Sequence, residues 1–295
     1  MSHSPRVAVV IVNWNGRQHL ERCLAALFAQ PLDHAQVIVV DNGSTDDSCA
    51  WVAAHFPQVQ LMALPHNAGF AVANNLAIRA TTSPYLLLLN NDTEVQPGWL
   101  EALIVPLDQD QSIGMCAPRV LLADRPDQID SIGIRVDALG FAWQIGRGQP
   151  AAAFPTPIDV FGPSGAAALY RRAMLDQIGL LDEDFESYYE DVDLAWRAQR
   201  AGWRCRYVPQ ASVLHVHSAT SRRFPDRKLY LLTRNRWWTL FKNYPVPRLW
   251  LMLPLIILAD SISLIRTWPQ QRSRVPWQAR RDAWRGFSRM WAKRR

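Results

Sequence analysis

The chain has 295 residues, 49% of them hydrophobic and 20% charged, which suffices for a large α/β core as one domain or a domain with an appendage. Its four cysteines, Cys23, Cys49, Cys116 and Cys205, are far apart; they exclude a metal-ligand spacing and a disulfide framework and fit a reducing compartment. The net charge of +6 is concentrated at one end: residues 266–295 hold ten Arg or Lys against one acid, Asp282, while residues 1–265 hold 22 basic against 25 acidic residues.

Arg6 to Asn13 is predicted as the first buried strand. Its apolar run, Val7 to Val12, is too short for a signal peptide and ends in Asn13-Trp14-Asn15-Gly16, so a cytoplasmic protein is expected. After Gly16, Leu20, Leu24, Leu27 and Phe28 recur at helical spacing. Gln36 to Val40 is a second, β-branched strand, followed by the turn Asp41-Asn42-Gly43-Ser44-Thr45-Asp46-Asp47 with Ser44 or Thr45 expected to cap the next helix. Val59 to Met62 is a third strand. Asn67 to Asn75 then opens a helix running to about Ile78, and Pro84 to Leu89 is a fourth strand. Strands alternating with helices at this spacing predict an α/β fold with a mostly parallel, Rossmann-like sheet.

Beyond Trp99 a helix and a short strand, Ile113 to Ala117, are expected, and residues 119–150 read as hairpins and loops. A small-residue turn around Gly162 to Ala168 leads into a strand ending near Tyr170, then a short helix, Arg172 to Ile178, with Gly179 at its C-cap. An acidic stretch, Asp182 to Asp193, precedes a helix to Ala201-Gly202, and two short strands follow, Trp203 to Tyr207 and Ala211 to His215.

The chemistry centres on Leu86-Leu87-Leu88-Leu89-Asn90-Asn91-Asp92-Thr93-Glu94. Four leucines suit a strand buried on both faces, and Asn-Asn-Asp is turn chemistry at its carboxyl end, where open α/β sheets bind ligands. A carboxylate there is placed to hold a divalent cation against phosphates, though an ordinary Asx-turn would look the same. Asp41 ends the second strand on the same edge; it can accept from a uracil or thymine ring N–H or from ribose hydroxyls, or bond its own turn. Asn67 and Gly69 sit where a helix begins, a place that attracts phosphate. No G-x-x-x-x-G-K-[ST] and no G-x-G-x-x-G follow the first strand, which removes the main support for P-loop and dinucleotide readings. Asp182 to Asp193 holds seven acids with Phe185, Tyr188 and Tyr189 interleaved; a carboxylate there can serve as a general base, or the stretch can be a solvated helix cap. His215 and His217 follow a strand, and a neutral imidazole can complete a cation's shell beside Asp92.

In this order, Val-Val-Asp-Asn-Gly-Ser-Thr-Asp (39–46), Asn-x-Gly-Phe-Ala-x-Ala-Asn-Asn (67–75), Leu-Leu-Asn-Asn-Asp-Thr-Glu-Val (88–95), Tyr-Tyr-Glu-Asp-Val-Asp-Leu (188–194) and the late His215 resemble the family 2 glycosyltransferases of GT-A fold, with the bacterial rhamnosyltransferases the nearest branch. The resemblance spans roughly residues 6–243. It implies an inverting transferase that moves a sugar, with dTDP-rhamnose as the implied donor, onto a lipid-linked or polysaccharide acceptor in cell-surface polysaccharide synthesis. Asp41 would contact the base, and Asn13, Asn15, Asn67, Gly69, Asn74, Asn90 and Asn91 would line the donor site. Asn90-Asn91-Asp92 stands where the family carries Asp-x-Asp, so Asp92, with His215, would hold Mg²⁺ or Mn²⁺, and Asn90 replaces the first carboxylate of that motif. Asp191, in the family's Glu-Asp pair with Glu190, would be the base; Gly165, Tyr188 and Tyr189 would line the acceptor side. A UDP-hexose donor, a sugar nucleotidyltransferase and a non-catalytic nucleotide-sugar scaffold are the competing readings.

These implications divide the chain into a nucleotide-sugar-binding half (1–118), an acceptor-binding and catalytic half (119–225) and a basic helical appendage (226–295). In the appendage, Leu249 to Ile265 is 17 residues between Arg248 and Arg266, with Asp260 the only charge; as a helix at ~1.5 Å per residue it reaches about 25 Å, short of a ~30 Å hydrocarbon core. Trp277, Trp284, Phe287 and Trp291 recur on one helix face among arginines, which suits an anionic membrane surface at the cytoplasmic face of the inner or plasma membrane, within reach of a polyprenyl-diphosphate-linked saccharide acceptor. A buried helix of a soluble homodimer is the other use of the apolar run. Nucleic acid is not expected as a partner, because binding it would leave that run unexplained.

Overall fold

The computed structural model describes residues 5–216, 224–271 and 274–294, with backbone alone for 266–271. β1 (Val7–Asn13) is an unbroken apolar run, and Val7 to Ile11 are almost fully buried, so it takes the middle of the sheet. β2 (Ala35–Asp41) and β3 (Gln60–Ala63) extend the sheet on one side of β1, and β4 (Tyr85–Asn90) lies on the other, all four parallel. α1 (Arg17–Phe28), α2 (Ser48–His55) and α3 (Phe70–Arg79) make the crossovers. The order β3-β2-β1-β4 reverses direction between β1 and β4, which opens a crevice at their carboxyl ends.

Past β4 the sheet becomes mixed. β5 (Thr93–Val95) and α4 (Trp99–Gln109) lead to β6 (Ile113–Leu122), which runs further than the sequence suggests and pairs with an antiparallel β7 (Arg125–Ser131). β8 (Ile134–Val136) and β9 (Ala142–Gln144) form a separate hairpin, and β10 (Asp159–Val160) is an edge strand. β11 (Ala167–Arg171) lies antiparallel between β4 and β6. α5 (Arg172–Ile178) ends at Gly179, whose φ of 84° suits the expected C-cap. α6 (Glu190–Arg200) follows, and then β12 (Arg204–His215). The two strands expected at 203–215 are one strand with a bulge: Val208 pairs with Pro118 and Ser212 with Arg119, so Pro209, Gln210 and Ala211 have no residues opposite them. Pro209 has no N–H to give the ladder, which explains the break in pattern. Apolar side chains from both faces of the sheet build two core layers.

Four helices complete the chain: α7 (Pro225–Asn243), α8 (Val246–Gln271), α9 (Val275–Arg285) and α10 (Phe287–Ala292). The aromatic face expected to meet a membrane is shared between the protein and solvent. Trp284 packs one side on Trp237 and Phe241, Phe287 packs on Phe241, and Trp291 on Phe287 and Trp250, while Trp277 and much of Trp284 stay exposed. α7 offers these rings a buried apolar partner, which water does not. α8 does the opposite: Leu249 and Ile256 are buried, but Trp250, Leu251, Leu255, Leu258 and Ile265 are each more than half exposed. Its only acid in this stretch, Asp260, is buried between Arg236 and Arg280. By length and composition alone, Val246–Ile265 can cross a membrane, because the helix is longer than the apolar run read from sequence.

Candidate active site

The carboxyl ends of β1, β2 and β4 form a polar floor. Asp41 is buried; its Oδ1 accepts from Asn13 Nδ2 at 3.1 Å and its Oδ2 from Ser44 N at 2.9 Å. Asn13 Oδ1 in turn accepts from Asn91 Nδ2 at 2.7 Å, so the β1, β2 and β4 ends are tied together. Neither Ser44 nor Thr45 caps α2. Asp47 stands at the N-cap without a side-chain bond, and Asp46 before it accepts from Ser48 N at 3.1 Å, while Ser44 and Thr45 meet Asn15: Ser44 Oγ accepts from Asn15 N and Asn15 Oδ1 from Thr45 N. Closing the loop between two strand ends takes these groups before the helix can use them.

Above this floor lies a cavity of about 420 Å³. Of the residues singled out in the sequence, Asn67, Gly69, Asn90, Asn91, Asp92, Gly165, Tyr188, Tyr189, Glu190, Asp191 and His215 line it. Asn13, Asn15, Asp41 and Asn74 do not; Asn74 is buried and donates to Phe70 O in its own helix. His217 lies outside the described residues. Asn42, which the sequence reading passed over, does line the cavity. Its Oδ1 accepts from Ala68 N at 2.8 Å and its Nδ2 donates to Asn67 Oδ1 at 3.1 Å, fixing the entry to α3. Gly69 has φ 93°, which strains any other residue, and a Cβ there would sit a tight 3.3 Å from the Glu186 backbone.

Asp92 and His215 meet because β5 pairs antiparallel with β12, placing His215 opposite Thr93. His215 Nε2 is 3.3 Å from Asp92 Oδ1, and its Nδ1 is 2.8 Å from Oδ2 of Asp130, a buried residue at the end of β7. Burial opposes a charged imidazole, but the two carboxylates outweigh it and push His215 up to about 9. Burial likewise opposes the Asp92 carboxylate, and the His215 hydrogen bond and charge hold it below its ordinary value. Among the described residues no group of three or more His, Cys, Asp or Glu forms a closed metal cage. A carboxylate and an imidazole side by side on a cavity wall nevertheless fit Mg²⁺ or Mn²⁺, which characteristically takes one or two protein ligands and completes its shell with phosphate and water. Asp130 is the partner that orients the imidazole. The sequence did not single it out, because Asp130 is one of several acids in a stretch of hairpins and loops, and the β6–β7 pairing brings it to His215.

The acidic stretch divides by direction. Asp191 opens α6; its Oδ2 accepts from Gly165 N at 3.1 Å and its Oδ1 from Val192 N at 2.8 Å, and a Cβ at Gly165 would lie 3.3 Å from Oδ2. Burial pushes Asp191 above the ordinary carboxylate range, and it pushes Glu190 much further, helped by the Asp191 charge. Glu190 Oε2 has no hydrogen-bond partner among the described residues. Asp193 faces away, bonded to Arg197, Lys242 and Asn243. Burial opposes its charge too, yet Arg197 and Lys242 hold it down at about 2. Just before α6, Glu186, Tyr188 and Tyr189 all have left-handed backbones, with φ of 63°, 66° and 68°. Each costs on the order of 1–3 kcal/mol, and such strain concentrates where a side chain must be aimed.

A fold in which a parallel nucleotide-type half joins a mixed half across a polar cavity is that of the GT-A glycosyltransferases. The family model described as glycosyl transferase family 2 matches residues 8–179. The chain is 33% identical over 227 residues to the pre-mycofactocin glycosyltransferase of Mycobacterium tuberculosis, covering 76% of this chain and 45% of that protein, so it spans less than half of that relative's length. It is 30% identical over 267 residues to the N-acetylglucosaminyl-diphospho-decaprenol L-rhamnosyltransferase of the same organism, covering 78% of this chain and 85% of that one. The solved mannosyltransferase PcManGT from Pyrobaculum calidifontis, in complex with GDP-Man and Mn²⁺, superposes with a TM-score of 0.58 at 18% identity, covering 99% of this chain and 84% of that one. The chain belongs to glycosyl transferase family 2.

Proposed function

We propose that this glycosyltransferase is an inverting, metal-dependent enzyme that moves L-rhamnose from dTDP-rhamnose to a polyprenyl-diphosphate-linked saccharide during surface-polysaccharide assembly. The observation that carries the reading is one cavity lined by Asp92, His215 and Asp191, with Asn67 and Gly69 at the start of α3 on its wall. The rhamnosyl group and the lipid-linked acceptor are supported by the rhamnosyltransferase relative, whose name gives the sugar moved and the acceptor; the dTDP carrier is part of the proposal. In this reading residues 1–118 bind the donor, 119–225 bind the acceptor, and 226–295 meet the membrane.

Asp92 and His215 would hold Mg²⁺ or Mn²⁺, and when bound the cation would neutralise the charge that builds on the departing nucleoside diphosphate. Asp41 would accept from the base, and the Asn13–Asn91 bond keeps that end of the sheet in register with Asp92. Asp191 takes the proton of the attacking hydroxyl, a role its raised affinity for a proton suits, and contributes about 10²–10⁴-fold. Attack from the face opposite the leaving group inverts the anomeric centre. Burial and the Asp191 charge raise Glu190 further than burial raises Asp191, so of the two Asp191 is the one that gives up its proton first. Tyr188 and Tyr189, which line the cavity, would pack on acceptor sugar rings. The exposed apolar face of α8 would dip into the cytoplasmic leaflet, consistent with a lipid-bound acceptor.

A thermal-shift panel of nucleotide sugars with and without Mn²⁺ tests the reading, since a ligand of the folded state raises its melting temperature. Stabilisation by dTDP-rhamnose only with metal is expected. A shift with UDP-hexoses instead would discard the rhamnosyl donor, and a shift with no metal requirement would sink the role of Asp92 and His215.

A further inference from the structure

The loop that delivers Glu190 and Asp191 is held in an unfavourable path by a residue of the appendage. Glu186 has φ 63° and ψ −70°, and Ser187 N donates to Phe185 O at 2.7 Å. That is a γ-turn of the strained hand, which an L-residue rarely adopts, and two more left-handed residues follow at Tyr188 and Tyr189. Such a path persists only where the surroundings over-determine it. On the donor side a main-chain bond reaches it, from Ala71 N to Glu186 O at 3.0 Å. On the other side stands Asn235, fully buried in the middle of α7. Its Nδ2 lies 2.8, 2.9 and 2.7 Å from the carbonyl oxygens of Phe185, Ser187 and Tyr188. Three carbonyls of one short loop converge on one amide nitrogen.

The neighbouring Arg234 sets which way that amide faces. Its Nε donates to Asn235 Oδ1 at 2.9 Å, so the NH₂ end must point at the loop. The rest of its guanidinium reaches Glu186 Oε1 at 2.9 Å and the carbonyls of Asp184 and Phe185 at 3.2 and 3.3 Å, and it stacks 4.1 Å over the Trp238 ring. We propose that Asn235, oriented by Arg234, is a positioning residue that pins the loop of residues 185–189 in its left-handed path and thereby presents Tyr188, Glu190 and Asp191 to the cavity. The appendage is then part of the catalytic framework as well as a membrane contact. The proposal rests on the reading of Asp191 as the base only for its effect on turnover; the holding of the loop stands apart from it.

Asn235→Asp is the discriminating change, because it keeps the shape and the bond from Arg234 and replaces the donor with an acceptor facing three carbonyls. In the full chain, amide hydrogen exchange in the peptide spanning 184–193 is expected to quicken by about tenfold or more while peptides of β1 and β4 keep their rates. The kcat with the donor selected by the panel above is expected to fall by about tenfold or more, with the apparent affinity for that donor within about threefold. If Asn235→Asp does not fold, Glu186→Gln, at a half-buried site, removes one brace and is expected to quicken loop exchange by about threefold. Unchanged loop exchange in the folded variant overturns the proposal, and so does faster exchange with wild-type kcat. Transfer that survives Asp191→Asn would sink the base assignment alone, leaving the exchange result to decide the clamp.

Discussion

On the side of α6 that faces the cavity, Glu190 and Asp191 are enclosed, and among the described residues their side chains pair with backbone N–H groups at Asp191 and with no cation. On the side that faces α7, Asp193 is enclosed with Arg197, Lys242 and Asn243. Burial acts on both sides in the same direction, so the neighbours decide the outcome: the cavity carboxylates are raised toward neutrality and Asp193 is held at about 2. One turn of one helix thus carries a proton-accepting face and a face that fastens the appendage. The same division runs through the rest of the acidic stretch, where Asp182 pairs with Lys242 and Lys293, Glu183 with Asn75 and Arg79, and Glu186 with Arg227 and Arg234.

The contrast can be broken from either face. Asp191→Asn is expected to lower kcat by about 10²–10⁴-fold with donor binding intact, read by steady-state transfer and by donor titration. A nucleotidyltransferase would survive that change. Asp193→Ala leaves Lys242 and Arg197 short of a buried counter-charge and is expected to cost about 3–5 kcal/mol of stability, read by denaturant unfolding. Because the folded Asp193 lies below its unfolded value of about 3.9, its contribution is present above that pH and is lost as pH falls towards about 2.

The cation site gives a third test. With His215 pushed up to about 9 by Asp130 and Asp92, a proton competes with a metal for its imidazole around neutral pH. Mn²⁺ affinity is therefore expected to rise by about tenfold per pH unit up to that value and then level off, read by titration of Mn²⁺ against the chain with dTDP present. Asp130→Asn, which removes the charge that orients the imidazole, is expected to weaken Mn²⁺ by about 10–100-fold in the same titration. Smallest of all, replacing Leu251 and Leu258 on the open face of α8 with Ser is expected to loosen vesicle binding without altering the melting temperature, because neither side chain is buried.

The parts of the site that lie at strand ends were legible because turn chemistry interrupts an apolar run: Asp41 after Val39-Val40, and Asn90-Asn91-Asp92 after four leucines. The parallel half was legible for the same reason, since its strands are short uniform runs between helical patterns. What sequence could not give was contact between distant segments. Asp130 meets His215 only through the β6–β7 hairpin, and Asn235 meets the loop before α6 across 47 to 50 positions of chain. The aromatic stripe of the tail was legible only as a face, because periodicity is silent on how that face divides between a neighbouring helix, which Trp284, Phe287 and Trp291 touch, and the surroundings, to which Trp277 and Trp284 are open. Asn42 was hidden in the turn after Asp41, where a side chain reaching across to Asn67 looks like any other turn asparagine.

The most direct test of the central claim is the anomeric configuration of the product, read by NMR coupling constants after transfer from the donor that stabilises the chain with Mn²⁺. With Asp191 as the one base in a single displacement, the new bond is expected to have the configuration opposite to the donor's. A product with the donor's configuration would require two displacements and would contradict the role given to Asp191.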